Sequence, residues 1–192
     1  MLVEVKVLRV GQFQLFEGGG GCRARCTVSL IRGGGKNIIV DPGGLGESGE
    51  ILKLLEGEEL TASDVDYVIL THFHPDHVGN MCLFSNATFV DGVEYFRGDF
   101  FTFYTGEFLL TDKVRVVSTP GHCSNDDCSV IVEGEVGVVA IVGDLFWYGQ
   151  DDEPPFIFDQ VSLRKSREVI LRVADFIVPG HGDLFKVNKR ST

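Results

Sequence analysis

The sequence is short of cations, of histidine and of long apolar runs, and each shortage removes a class of function. Lys and Arg number 17 against 28 Asp and Glu, for a formal net charge of −11 at pH 7. General nucleic-acid or anionic-membrane binding rests on clustered cations, so this balance argues against both. The longest strongly apolar stretch, Val136–Val142, is far too short to span a bilayer. The opening MLVEVKVLRV alternates apolar and charged residues as a strand does and lacks the layout of a signal peptide. The five cysteines, Cys22, Cys26, Cys82, Cys123 and Cys128, make an odd count. Without a secretion signal, that count predicts reduced thiols and a cytoplasmic protein. There is no internal repeat, low-complexity tract or Pro/Ser-rich linker, so residues 1–192 read as one domain. With 44% apolar and 23% charged residues, the chain can build a core and is not of the disordered class.

What is present reads mostly as strand. Strands are predicted over Leu2–Val10, Cys26–Arg32, Asn37–Asp41, Tyr67–Thr71, Thr88–Asp91, Val114–Thr119, Ser129–Glu133, Val136–Val142 and Phe176–Val178. Glycine runs at 18–21 and 33–35 lie between strand-like segments, and the second predicts a hairpin turn. Helices are predicted over Glu50–Glu56, briefly after Pro75, and over Ser162–Ala174. In the last, Leu163, Val169, Ile170 and Val173 form an apolar stripe. Early hairpins followed by strand–helix–strand alternation predict sheets covered by helices, an α/β or α+β class.

The five histidines carry the chemistry. His72, His74 and His77 fall with Asp76 in Thr71-His72-Phe73-His74-Pro75-Asp76-His77, directly after the buried strand YVIL. Pro75 cannot continue a helix from upstream but suits the first turn of a new one. In an extended loop His72 and His74 project to one side. Asp76 and His77, past the bend, aim at another point, which suits two adjacent metal ions better than one. His122 follows VRVVST in a Pro-Gly turn, Asp144 follows VVAIVG, and His181 follows FIV in PGHG. From His77 the steps are 45 residues to His122, 22 to Asp144 and 37 to His181. Each ligand type thus stands at a strand end, where residues converge on one sheet edge. A lone histidine is usually packed or solvated. Five in turns after strands, three of them in one heptapeptide, point to a metal site.

His72-x-His74-x-Asp76-His77, then His122, Asp144 and His181 in order, resembles the metallo-β-lactamase superfamily over nearly the whole chain. Asp41 in IIVDPG, GDLF and PGHG match its other blocks. More narrowly, CTVSLIRGGGKNIIVDPG, HVGNMCLF and ADFIVPGHGDLFKV resemble the metallo-β-lactamase domain-containing protein 1 group. The resemblance implies a four-layer αββα sandwich with metals at one edge. It implies that His72, His74 and His122 hold one ion, that Asp76, His77 and His181 hold the other, and that Asp144 bridges them. Asp41 would brace the His72–His77 loop. Class B1 β-lactamases carry a cysteine where Asp144 stands, so the ligand set points away from antibiotic hydrolysis. The expectation is a near-minimal core, without the C-terminal helical domain of glyoxalase II, the insertion of the β-CASP nucleases or the flavodoxin domain of flavodiiron proteins.

The expected activity is a metal-dependent hydrolase with two zinc ions, or iron or manganese in their place. A metal-bridging hydroxide would attack a small-molecule ester-like or a phosphodiester bond, with Asp76 orienting it as the catalytic residue. The alternative is a mononuclear iron oxidoreductase of the persulfide dioxygenase type. RNA, implied by the group's link to histone pre-messenger RNA, is disfavoured by the net charge. Four features have a structural and a functional reading. The aromatic segment 95–108 reads as two strands packing onto the sheet before it reads as a lid. Phe146, Trp147 and Tyr148 follow Asp144 and read as packed residues that line a pocket. Cys123 and Cys128 read as small buried thiols before ligands. Arg164, Lys165 and Arg167 read as a solvated basic face before an anion-steering patch.

Overall fold

The computed structural model describes residues 3–18 and 20–189. Leu2, where the first predicted strand begins, and Gly19, inside the first glycine run, lie outside the described residues. The chain starts with β1 (Glu4–Arg9), then β2 (Gln12–Leu15) and β3 (Cys22–Arg25), which pair with each other as a separate ribbon. There follow β4 (Val28–Gly33), β5 (Lys36–Val40), α1 (Ser48–Glu56), β6 (Tyr67–Ile69), α2 (Pro75–Val78), β7 (Thr88–Val90), β8 (Glu94–Arg97) and β9 (Phe100–Phe103). The second half supplies β10 (Phe108–Leu109), β11 (Val114–Ser118), β12 (Cys128–Gly134), β13 (Gly137–Ile141), α3 (Gln160–Val173), β14 (Phe176–Val178) and β15 (Phe185–Lys186). Strands β1-β4-β5-β6-β7-β8-β9 form one sheet and β10-β11-β12-β13-β14-β15 the other, each in that order.

Alternation within single strands builds the layers. In β5, Ile38 and Val40 face the opposing sheet while Ile39 faces the helical side; in β13, Val139 and Ile141 face inward and Ala140 outward. Both faces are covered, so these strands read as continuous apolar runs rather than alternating ones. Ile31, Ile69 and Val90 of the first sheet meet Val116, Val130 and Val178 of the second in the central layer. Ile51 and Leu55 of α1 cover the outside of the first sheet, with Phe84 beside them. Leu163 and Ile170 of α3 cover the outside of the second, with Phe146. The architecture is the expected αββα sandwich.

The 33–35 turn is tighter than predicted. Gly33 and Lys36 pair across it, leaving Gly34 and Gly35, at φ +63° and +74°, as the two-residue loop. The aromatic segment forms β8 and β9, which extend the first sheet at its edge. Phe89, Phe96 and Phe101 stack across the strands with centroids 5.2 and 5.1 Å apart. The β2–β3 ribbon and the short β10 and β15 were not foreseen. The ribbon docks on the sandwich edge through Thr27, whose N–H donates to Gly180 O (2.7 Å) and whose hydroxyl donates to Gly182 O (3.1 Å).

Candidate metal centre

Five strands of the two sheets deliver their C-terminal ends to the same edge. Asp41 follows β5, the His72–His77 loop follows β6, His122 follows β11, Asp144 follows β13, and His181 follows β14. The two sheets are tied there, because Cys128 at the start of β12 donates its N–H to Thr71 O (2.8 Å) and its thiol to Leu70 O (3.3 Å). Cys128 is therefore a buried structural thiol, as read from sequence, and Cys123 is only half-buried.

All seven predicted ligand residues come together, in two groups. His72, His74, His122 and Asp144 form one, and Asp76, His77 and His181 form the other, with the ligand atoms of each within 4.8 Å of one another. In the first group His72 Nε2 lies 3.0 Å and His122 Nε2 3.2 Å from His74 Nδ1. Asp144 Oδ2 stands 3.2 Å from His122 Nε2 and 3.7 Å from His72 Nε2. The other oxygen, Oδ1, stands 3.3 Å from both His77 Nε2 and His181 Nε2. Asp76 Oδ2 completes the second group, 3.7 Å from each of those nitrogens. One carboxylate thus turns one oxygen to each group.

The outer nitrogens of His72, His77 and His181 are held as well, while buried His122 Nδ1 has no partner among the described residues. His77 Nδ1 donates to Asp41 Oδ2 (2.8 Å) and His181 Nδ1 donates to Arg25 O (3.0 Å). The Thr71 hydroxyl gives its proton to Asp41 Oδ2 (2.7 Å), so at 3.1 Å it accepts from His72 Nδ1. With the protons on those outer nitrogens, the Nε2 lone pairs of His72, His77 and His181 aim at the centre. Asp41 is at φ +54°, a left-handed conformation that Asp tolerates, and it also accepts from Thr71 N (2.9 Å).

Burial sets the charges. It is the largest influence on His72, reinforced by His77, and pushes that imidazole well below its ordinary value. Burial, then the neighbouring His122, pushes His74 down. For His77 burial acts downward but Asp144 and Asp41 outweigh it, and the value rises well above the ordinary one. For Asp144 burial acts upward, and His77 and His72 more than reverse it. The neutral His72 and His74 imidazoles, 3.0 Å apart, beside a carboxylate that stays ionised, fit a cation at their centre, and a cation in the second group would take the place of the proton that Asp144 and Asp41 favour on His77. The buried Asp76 Oδ2, His77 Nε2 and Asp144 Oδ1 have no hydrogen-bond partner, which is costly unless a cation satisfies them.

Two glycines permit this crowding. A Cβ on Gly180 would lie 1.9 Å from Asp144 Oδ1, and one on Gly143, at φ +50°, would lie 2.2 Å from Thr71 Oγ1. Around them are residues that sequence reasoning missed. Asp127, buried, accepts from the N–H groups of His122 (2.9 Å), Cys123 (2.8 Å) and Ser124 (2.9 Å), and so shapes the His122 turn. An acidic residue closing a Ser/Asn/Asp-rich turn was the available signal. Arg167 departs from the solvated-face reading. It is half-buried, donates to Leu145 O (2.6 Å) and Asp152 O (2.5 Å), and stacks 4.6 Å over the Phe146 ring. Phe146 and Trp147 are packed, Trp147 with its ring centroid 4.2 Å from that of His181. Tyr148 is the exposed member and lines a groove beside His181.

The sequence pattern of the metallo-beta-lactamase superfamily matches residues 23–181. The metallo-beta-lactamase domain-containing protein 1 of Xenopus laevis is 36% identical over 181 residues, which is 90% of this chain and 77% of that protein. The Homo sapiens protein of the same description is 34% identical over 163 residues, 81% of this chain and 61% of its own length. Among solved structures, a quorum-quenching N-acyl homoserine lactone hydrolase shares the fold with a TM-score of 0.71, at 20% identity over 94% of this chain and 92% of that one. Among the described residues, no helix is long and apolar enough to cross a membrane.

Proposed function

This chain belongs to the metallo-beta-lactamase superfamily and to its metallo-beta-lactamase domain-containing protein 1-like group, and from that premise we propose a dinuclear metal hydrolase acting on an ester-like bond. The observation that carries the reading is Asp144, whose two oxygens face separate ligand groups 3.2–3.3 Å from their imidazoles. In this reading His72, His74 and His122 hold one ion, Asp76, His77 and His181 hold the other, and Asp144 is shared. Zinc suits the imidazole and carboxylate donors, with iron or manganese as the other candidates. When bound, the metals supply a water acidified towards neutral pH and polarise the oxygen of the scissile group.

The chain's own residues do the rest. Asp41, Thr71 and Arg25 hold the outer nitrogens of His77, His72 and His181, so Nε2 is the atom each ring turns to the metal side. Asp76, on the first turn of α2 and the most exposed acidic ligand, orients the attacking water through its carboxylate. Trp147 packs over His181 and excludes bulk water from that side. The lactone hydrolase among the fold relatives makes a small ester or lactone the first substrate class to try, with phosphodiesters second. A cytoplasmic location and a single domain over residues 1–192 remain part of this proposal.

The test is metal content and turnover on protein purified without a histidine tag. Two zinc ions per chain and hydrolysis of an aryl ester, thioester, lactone or phosphodiester are expected. His74→Ala and Asp144→Ala should lose metal and activity together. Hydrolysis that persists in a metal-free variant sinks the reading, as does a single iron with oxygen consumption in place of hydrolysis.

A further inference from the structure

We propose that the groove beside His181 receives an anionic arm of the substrate, a carboxylate or phosphate group, and that Arg23 selects it. This rests on the hydrolase reading and names a property of its substrate. The groove has a volume of about 600 Å3 and counts Gln12, Gln14, Arg23, Arg25, Tyr148 and His181 among its walls. Among the described residues no carboxylate lines it, in a chain whose net charge is −11. Its two cations differ in what they have left to offer. The Arg25 guanidinium is occupied, with Nε 2.6 Å from Glu47 Oε1 and Nη2 paired with Glu50. Arg23 is exposed and makes no ion pair among the described residues. An uncompensated guanidinium presents a planar fork of donors that matches a carboxylate or a phosphate.

The register of the ribbon places amides next to these cations. Gln14 pairs with Arg23 and Gln12 with Arg25 across β2 and β3. The ribbon is also anchored to the metal centre. The Tyr148 hydroxyl donates to Phe13 O (3.0 Å), and the Phe13 ring stands edge-on to Trp147 with centroids 4.8 Å apart. Trp147 in turn lies against His181. Arg23 therefore sits at a set distance from the reacting edge, so the charged arm and the scissile bond are read together.

Trp147 is the sole tryptophan and reports on this groove by its fluorescence. The probes are benzoate, phenyl phosphate and the neutral benzamide, titrated into zinc-loaded and chelator-treated protein. Both anions should bind both forms saturably, and benzamide should bind at least about tenfold more weakly. Arg23→Gln should weaken the anions by about tenfold in both forms and leave benzamide unchanged, with Arg23→Lys recovering part of the loss. The tighter anion identifies the arm as carboxylate or phosphate. Equal anion affinity in wild type and Arg23→Gln overturns the proposal. Anion binding that disappears on chelation overturns it too, because it places the anions on the metals. Failure of the hydrolase reading shows separately, as zinc-loaded wild type that cleaves no ester, and leaves these binding results standing.

Discussion

Replacing Asp41 by Asn changes no volume and removes one charge, which makes it a sharp probe of how the centre is held. The carboxylate meets three donors: Thr71 N on Oδ1, and the Thr71 hydroxyl and His77 Nδ1 on Oδ2. An amide has only one acceptor atom. If its NH2 takes the Oδ1 position, it confronts the Thr71 N–H, donor against donor. If it takes the Oδ2 position, the Thr71 hydroxyl turns round to accept, and His77 Nδ1 must also accept. The His77 proton then moves to Nε2, the atom that faces Asp144 Oδ1 at 3.3 Å and whose lone pair binding requires.

The structure sets the size of the effect. At least one buried charge-assisted bond is lost and one group is left mismatched, which together destabilise the metal-free fold by about 2–4 kcal/mol. Loss of the partner that orients a ligating histidine weakens metal binding about 10- to 100-fold, equivalent to about 1.4–2.7 kcal/mol. The weakening should fall on the ion held by Asp76, His77 and His181. The His72, His74 and His122 group keeps its nitrogens and should still bind. The assay is zinc stoichiometry by mass spectrometry, with affinities from competition against a chromogenic chelator and circular dichroism to establish folding. A folded Asp41→Asn protein that holds two zinc ions at wild-type affinity refutes the argument. So does one that loses the His72 group first.

Gly180→Ala drives a methyl group into Asp144 Oδ1, so zinc content should drop towards zero while far-ultraviolet dichroism is kept; a two-zinc Gly180→Ala protein contradicts the packing. Glu47 gives a pH signature. Burial pushes its carboxyl up, but the Arg25 hydrogen bond, the Gly44 N–H and Arg9 prevail and its folded value is below the ordinary 4.5. Between the two values the unfolded chain binds more protons, so this stability is full above about pH 4.5 and is lost as pH falls through the folded value. The urea midpoints of wild type and Glu47→Gln should therefore converge as pH falls from 6 to about 3, and a constant gap would contradict the ion-pair account. Arg167→Ala, which strips donors from Leu145 O and Asp152 O, should cost about 1–3 kcal/mol in urea unfolding, and no change would return Arg167 to the solvated face.

The candidate ligand set was legible because its residues sit beside the strands that deliver them. A histidine in the turn that follows YVIL or FIV is placed at the sheet edge by its strand, and strand ends converge whatever the loops do. Apolar runs such as VGVVAIV and the later strand–helix–strand alternation pointed to sheets covered by helices, while the four-layer order came from the family resemblance. The supports of the centre follow another logic. Asp127 acts through backbone N–H groups that exist as a cluster only after the His122 turn has closed. Arg167 looks like one of three cations at a helix start until α3 lies over the Asp144 loop and leaves its neighbours in solvent. The β2–β3 ribbon has weak local pairing signals, and its position is set by Thr27 and Tyr148 reaching residues more than a hundred positions away. Such contacts carry no short-range pattern, because the partner is chosen by the fold and not by the neighbouring sequence. The ribbon is also the part that shapes the groove beside His181. The gathering of the candidate ligands at one edge was therefore readable from residue order, while the features that shape the groove depend on tertiary placement.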